Sequence, residues 1–168
     1  MKLLSSDKKI KEKKIKDYIV NNQESFYKIA YSYVKNEDDA LDIVHDSICK
    51  ALSKINSLND IEVVKPWFYK ILINSAIDYI RKNNKYITLN QDEFENEYIS
   101  NDVYSDIDLL QALDKLPEEY KTIIILRYFE DMKIEDIAIV LSQNINTVKT
   151  KLYKGLRRLR IKINKDDY

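Results

Sequence analysis

One glycine and two prolines are all that punctuate this 168-residue chain. Tight hairpins need turn-formers that are absent here, so an extended-strand architecture has little to build its reversals from. Apolar residues instead recur at helical spacing nearly throughout. Phe26, Ile29, Ala30, Tyr33 and Val34 form one such stripe, which Asn36 to Asp39 interrupts with residues suited to capping. Leu41, Val44, Ile48, Ala51, Leu52 and Ile55 form the next, with Asp42, Asp46 and Lys50 on the other side of the same helix. Pro66 suits the first turn of a third helix, which continues through Trp67, Phe68, Ile71, Leu72, Ala76 and Ile80 and ends near Arg81 to Asn84. Three helices with short connections can close into a small bundle. From Tyr86 to Ser105 the periodicity vanishes and acidic and amide residues take over, as in a flexible tether. Beyond it, Asp106 to Leu116 and Glu118 to Phe129 read as two helices separated by Pro117. The expected fold is all-α: two small helical domains, 1–86 and 106–168, joined by a flexible acidic linker over 87–105.

The formal charge is zero, which excludes a generic polyanion binder, but the charge is segregated. Residues 1–16 carry seven lysines and two acids, whereas Asp92 to Asp108 holds seven acids and no Lys or Arg. The N-terminal lysines are not followed by the apolar core of a secretory signal, and no apolar run approaches the roughly 20 residues of a membrane span. A single cysteine, Cys49, excludes an internal disulfide and suits a reducing compartment. These features predict a cytoplasmic protein with no membrane insertion.

The segment from Lys133 to Lys165 carries nine Lys/Arg against two acids, and its apolar positions are ordered. Ile137, Ala138 and Leu141 occupy a short helix at the offsets where a helix-turn-helix buries its small and apolar side chains. Asn144 follows as an N-cap. Val148, Leu152, Leu156 and Leu159 then make one apolar stripe along a longer helix. Asn146, Thr150, Tyr153, Lys154 and Arg157 point away from that stripe, flanked by Lys149 and Arg160 on one side and by Lys151 and Arg158 on the other. A basic outward face with polar residues near the helix N-terminus is what a major-groove reading helix requires. Gly155 falls inside the stripe. A mid-helix glycine costs about 1 kcal/mol against alanine, so its place there predicts a close helix approach. The unit is therefore read as a helix-turn-helix that binds DNA.

Catalysis and metal binding find little support. His45 and Cys49 are four apart on one helix, two ligands of the four that a closed zinc site needs, and no Cys-x-x-Cys or His-Glu-x-x-His accompanies them. The same pair cannot make a catalytic triad, and no glycine-rich phosphate loop exists. No enzyme activity, cofactor or metal is expected.

Three stretches together resemble the extracytoplasmic-function sigma factors of bacterial RNA polymerase. DDALDIVHDSICKAL (Asp38 to Leu52) is similar to the family's polymerase-gripping helix, and PWFYKILINSAIDYIRKNNK (Pro66 to Lys85) to its promoter-melting segment. LPEEYKTIIILRYFEDMKIEDIAIVL (Leu116 to Leu141), running into NTVKTKLYKGLRRLR (Asn146 to Arg160), resembles its helix-turn-helix region. The departures are small. Ser142 stands at the turn where many helix-turn-helix units have glycine, and His45 where the family commonly has glutamine.

The resemblance implies core RNA polymerase, promoter DNA and an anti-sigma factor as partners. It implies that Asp39, Asp42, His45 and Asp46 dock on the polymerase. Lys70, Asn74, Asp78 and Arg81 lie at i, i+4, i+8 and i+11 on one face, where the amide can pair a base edge and the carboxylate can accept from a cytosine amino group. Arg81, Lys82 and Lys85 would hold phosphates of the minus-ten element, Tyr79 and Tyr86 could stack on unpaired bases, and the loop Asn56 to Asp60 would receive a splayed base. Trp67 and Phe68 are assigned to the core. In the minus-thirty-five element Asn146, Lys149, Thr150 and Tyr153 would reach base edges, while Lys151, Lys154, Arg157 and Arg158 hold phosphates. The rival readings are a stand-alone helix-turn-helix regulator, which needs no strand-reading segment, and a decoy for an anti-sigma factor, which needs no DNA-reading face.

Overall fold

The computed structural model describes residues 2–87 and 106–166, with side chains over 8–83, at Leu109 and over 111–160. The expected linker over 87–105 lies almost wholly outside the described residues, as do the side chains of Lys85 and Tyr86. The chain divides into two compact units, the first built mainly on the residues up to Arg81 and the second mainly on those that follow. None of the described helices is long and apolar enough to cross a membrane.

The N-terminal unit has four helices: α1 (Lys2–Asn21), α2 (Gln23–Val34), α3 (Glu37–Ser53) and α4 (Val64–Ile87). α1 is not among the helices expected from the sequence, because its dense lysines mask a short apolar seam: Ile15 and Ile19 are buried. Asn36 starts α3 by accepting the Asp39 backbone N–H at 2.9 Å, and Glu37, Asp38 and Asp39 in the first turn complement the helix dipole. Before it, Lys35 ends α2 in the left-handed region (φ 54°), its N–H donating to the Tyr31 carbonyl at 2.9 Å. This tight link folds α3 back on α2.

Aromatic packing fills the core. Phe26 of α2 lies with its ring centroid 4.2 Å from Phe68 and 5.5 Å from Tyr69, both on α4. All three are essentially inaccessible, and truncating such a side chain typically costs about 3–5 kcal/mol. Phe68 is thus core as expected; Trp67 is only half-buried, and Tyr69, one residue on, takes the inner place.

The inner face of α3 differs from the expected stripe. Ala40, Ile43, Val44, Ser47 and Ala51 face inward, whereas Leu41 and Leu52 are exposed. Small residues line the face that packs against α2 because they allow a close approach, and Ser47 satisfies its hydroxyl on the Ile43 carbonyl at 2.7 Å. The large apolar residues sit about a quarter-turn away on the outer shoulder. Between α3 and α4 run two short 3-10 turns, Ile55–Ser57 and Ile61–Val63, with Leu58 buried between them.

The C-terminal unit comprises α5 (Asp106–Asp114), α6 (Glu118–Ile124), α7 (Ile134–Leu141) and α8 (Ile145–Asp166). A π-helical turn, Ile125–Phe129, extends α6. Lys121 is buried on α6, its ammonium 3.5 Å from Glu118 and 3.7 Å from Asp114, so a buried charge is paired across the α5–α6 link. Arg127 donates to the Met132 carbonyl at 2.8 Å and fixes the approach to α7.

Candidate functional site

Ser142 adopts φ 53° at the turn between α7 and α8. Its own N–H reaches the Ile139 carbonyl and the Gln143 N–H reaches the Ala138 carbonyl at 3.0 Å, the bonds of a Schellman cap with serine in the place that usually favours glycine. Asn144 then accepts the Thr147 N–H at 2.7 Å and starts α8. The two caps turn the chain within a few residues and bring α8 out across α6.

Ile137, Ala138 and Val140 are buried on α7, with Leu141, expected in that set, only half-buried. Along α8, Val148, Leu152, Gly155 and Leu159 are buried and Leu156 half-buried. The opposite side carries Asn146, Lys149, Thr150, Tyr153, Lys154, Arg157, Arg158 and Arg160, all exposed. Tyr153, at 67% relative exposure, is the most open large aromatic among the described residues. One helix thus presents amide and hydroxyl groups at its start and cations along its length.

Two of the expected phosphate holders are engaged from the flank. Lys151 is only half-exposed and pairs with Glu119 of α6 at 2.9 Å. The hydrogen bond from Lys151 holds the Glu119 carboxyl below the usual range, against a smaller upward push from burial. Arg158 lies over the Tyr120 ring, 4.8 Å from its centroid. The centre of the outward face therefore falls on Asn146, Thr150, Tyr153, Lys154 and Arg157. Neither partner could be found from spacing within α8, because Glu119 and Tyr120 belong to another helix.

On α4, Asn74, Arg81 and Lys82 are exposed and Lys70 and Asp78 partly so. Arg81 donates to Asp78 at 2.6 Å, so carboxylate and guanidinium meet as a pair on the predicted face. Tyr79 does not join them. It sits about half a turn round the helix from Lys70, and its hydroxyl donates to Asp39 of α3 at 2.5 Å. This bond ties Tyr79 of α4 to Asp39 of α3. The next loop residue set, Asn56 to Asp60, has Asn56, Ser57, Asn59 and Asp60 exposed, and the Asp60 carboxylate caps the following turn at the Glu62 N–H (2.9 Å).

The outer face of α3 carries Asp42, His45, Asp46 and Cys49, all exposed, beside Leu41 and Leu52. Asp46 pairs with Lys50 at 2.6 Å, and Lys50 also donates to Ser75 of α4 at 2.9 Å. Asp42 has no ion pair among the described residues. No group of three His, Cys, Asp or Glu side chains that could hold a metal ion occurs among the described residues.

The chain matches the family model for sigma-70 region 2 over residues 19–86 and that for sigma-70 region 4 over residues 106–159. It is similar to the RNA polymerase sigma factor SigV of Bacillus subtilis, at 50% identity over 89% of this chain and 90% of that one. The ECF RNA polymerase sigma factor SigW of the same organism is 26% identical, over 82% of each chain. Among solved structures, the sigma factor RpoE of Bartonella quintana, crystallised with the anti-sigma factor NepR, has the same fold. Its TM-score is 0.78 at 24% identity, covering 89% of this chain and 96% of that one.

Proposed function

Because the chain belongs to the sigma-70 family of RNA polymerase sigma factors, in its extracytoplasmic-function group, we propose that it binds core RNA polymerase through the outer face of α3, engages the minus-ten element through α4, and docks α8 in the minus-thirty-five element. It is an alternative sigma factor. Residues 1–86 act as region 2 and 106–168 as region 4, with 87–105 as the tether that lets each reach its promoter element. The protein works in the cytoplasm and catalyses nothing itself, the chemistry belonging to the polymerase. An anti-sigma factor is its expected controlling partner, as for the solved relative from Bartonella quintana.

The observation that carries this reading is the face of α8, where base-pairing and cationic groups are exposed while the apolar stripe is buried. A decoy that only captured an anti-sigma factor would have no use for that face, and a stand-alone regulator none for the α4 stripe. The direct test is co-migration of the full chain with purified core polymerase on size-exclusion chromatography, followed by retention of promoter DNA on the complex. A chain that stays separate from the polymerase overturns the reading.

Two expectations separate the DNA surfaces. Arg157 lies on the outward centre of α8, where it adds affinity by neutralising phosphate and releasing counterions. Arg157→Glu should therefore weaken every promoter alike and lower the salt slope of binding by about 1. A change of base preference would assign Arg157 to base reading instead. Asn74 is exposed between Lys70 and Asp78 on the α4 stripe, and a lost bidentate base contact costs about 1–3 kcal/mol. Asn74→Ala should lower transcription by about 5- to 150-fold with core polymerase affinity unchanged, as read by run-off transcription beside a core-binding titration. Equal loss of both would remove Asn74 from strand reading.

A further inference from the structure

α1 packs against the Ile61–Val63 turn, and a groove of about 300 Å³ opens between them. Ile10, Lys11 and Lys14 form one wall; Asn59, Asp60 and Ile61 form the other. The volume sits at the lower end of small-ligand clefts, about 300–1,000 Å³. The two walls differ in chemistry. Lys14 is exposed and Lys11 half-exposed, with Lys8, Lys9, Lys13 and Lys16 exposed beside them, and none of these lysines has an ion pair among the described residues. The opposite wall offers the free amide of Asn59 and the carboxylate of Asp60, one oxygen of which already accepts the Glu62 N–H.

A nucleotide has the matching polarity: an anionic phosphate at one end and, at the other, a base edge with donors and acceptors. An amide can pair such an edge and a carboxylate can accept from an exocyclic amino group, while two ammonium groups suit a phosphate as point charges. An acidic peptide would meet Asp60 unfavourably along the second wall. α1 also begins ahead of residue 19, where the region 2 match starts, so that match assigns Lys11 and Lys14 no role.

We propose that α1 is a DNA-contacting element, in which Lys11 and Lys14 hold a phosphate of the unpaired promoter strand while Asn59 and Asp60 face its base across the groove. This rests on the reading of α4 and the Asn56–Asp60 loop before it as the minus-ten surface. Single-strand contacts contribute about 0.7 to the salt slope per phosphate neutralised, and both lysines act on the same stretch of backbone.

The test uses the full chain assembled with core polymerase. The probe is a fork-junction DNA, unpaired on the non-template strand through the minus-ten element of a promoter that gives run-off transcripts. The double variant Lys11→Gln/Lys14→Gln keeps side-chain length and removes charge. Its binding should show a salt slope lower by about 0.7 and weaker affinity at moderate salt, with core polymerase affinity unchanged. An unchanged slope in the double variant, with Asn74→Ala still weakening the probe, overturns the role of α1 and leaves the minus-ten reading standing. No effect from either variant overturns both. A fall in core polymerase affinity would make α1 a polymerase contact and also overturn the proposal.

Discussion

Gly155→Leu is expected to unfold the C-terminal unit at a temperature roughly 5–15 °C below the parent, the shift that about 1–3 kcal/mol of overpacking produces in a domain of this size. A Cβ at this position would stand 3.0 Å from the Tyr120 Cβ and 3.1 Å from the Ile124 Cδ1. The isoleucine methyl can rotate aside. The tyrosine Cβ is fixed to the α6 backbone, and its ring is covered by Arg158, so relief requires α6 and α8 to separate. Replacing glycine in a helix also gains about 1 kcal/mol of intrinsic propensity. For Gly155→Ala that gain offsets much of a single tight contact, and a small shift is expected; for leucine the added atoms outweigh it. Circular dichroism should report the early transition. An unchanged or raised transition with leucine would contradict the close α6–α8 approach.

The second large effect is expected at the polymerase surface. The resemblance implies docking through four residues of α3, and the fold makes them unequal. Asp39 is held by Tyr79 and Asp46 by Lys50, whereas Asp42 stands exposed beside the equally exposed Leu41. Apolar area next to an open carboxylate is the composition of a docking patch for a basic partner. Removing one member of a buried interfacial charge pair costs about 2–5 kcal/mol, which is at least ~30-fold in affinity. Asp42→Lys goes further by placing like charges together, so core polymerase binding should be abolished in a titration that still detects the parent. Asp46→Lys should do less, since Lys50 already neutralises that carboxylate. Unaltered affinity for Asp42→Lys would return the residue to an ordinary solvated role.

Much of the α8 site was legible because a single period accounts for it: the buried stripe and the exposed face lie on one helix, so counting residues places both. The close approach at Gly155 was legible for the same reason, a lone glycine inside an apolar stripe. What spacing could not give were partnerships between helices. Lys151 with Glu119, Arg158 with Tyr120 and Asp39 with Tyr79 each join elements that only the tertiary fold brings together. The α3 face failed differently. Counting large apolar residues favoured Leu41 and Leu52, but close packing on α2 selects Ala40 and Ser47, which carry almost no hydrophobic signal. α1 was missed because its lysines outnumber the two isoleucines that anchor it. The turn at Ser142 shows a local rule overridden: a left-handed serine costs about 1–2 kcal/mol, and the hydrogen bonds of the two caps around it hold the turn regardless.

The most direct measurement is run-off transcription with purified bacterial core polymerase, the full chain and a genomic promoter library. The expected result is a set of specific transcripts whose templates share two upstream sequence elements, one for each DNA-binding surface. An absence of transcripts, together with an absence of core polymerase binding, would contradict a sigma factor.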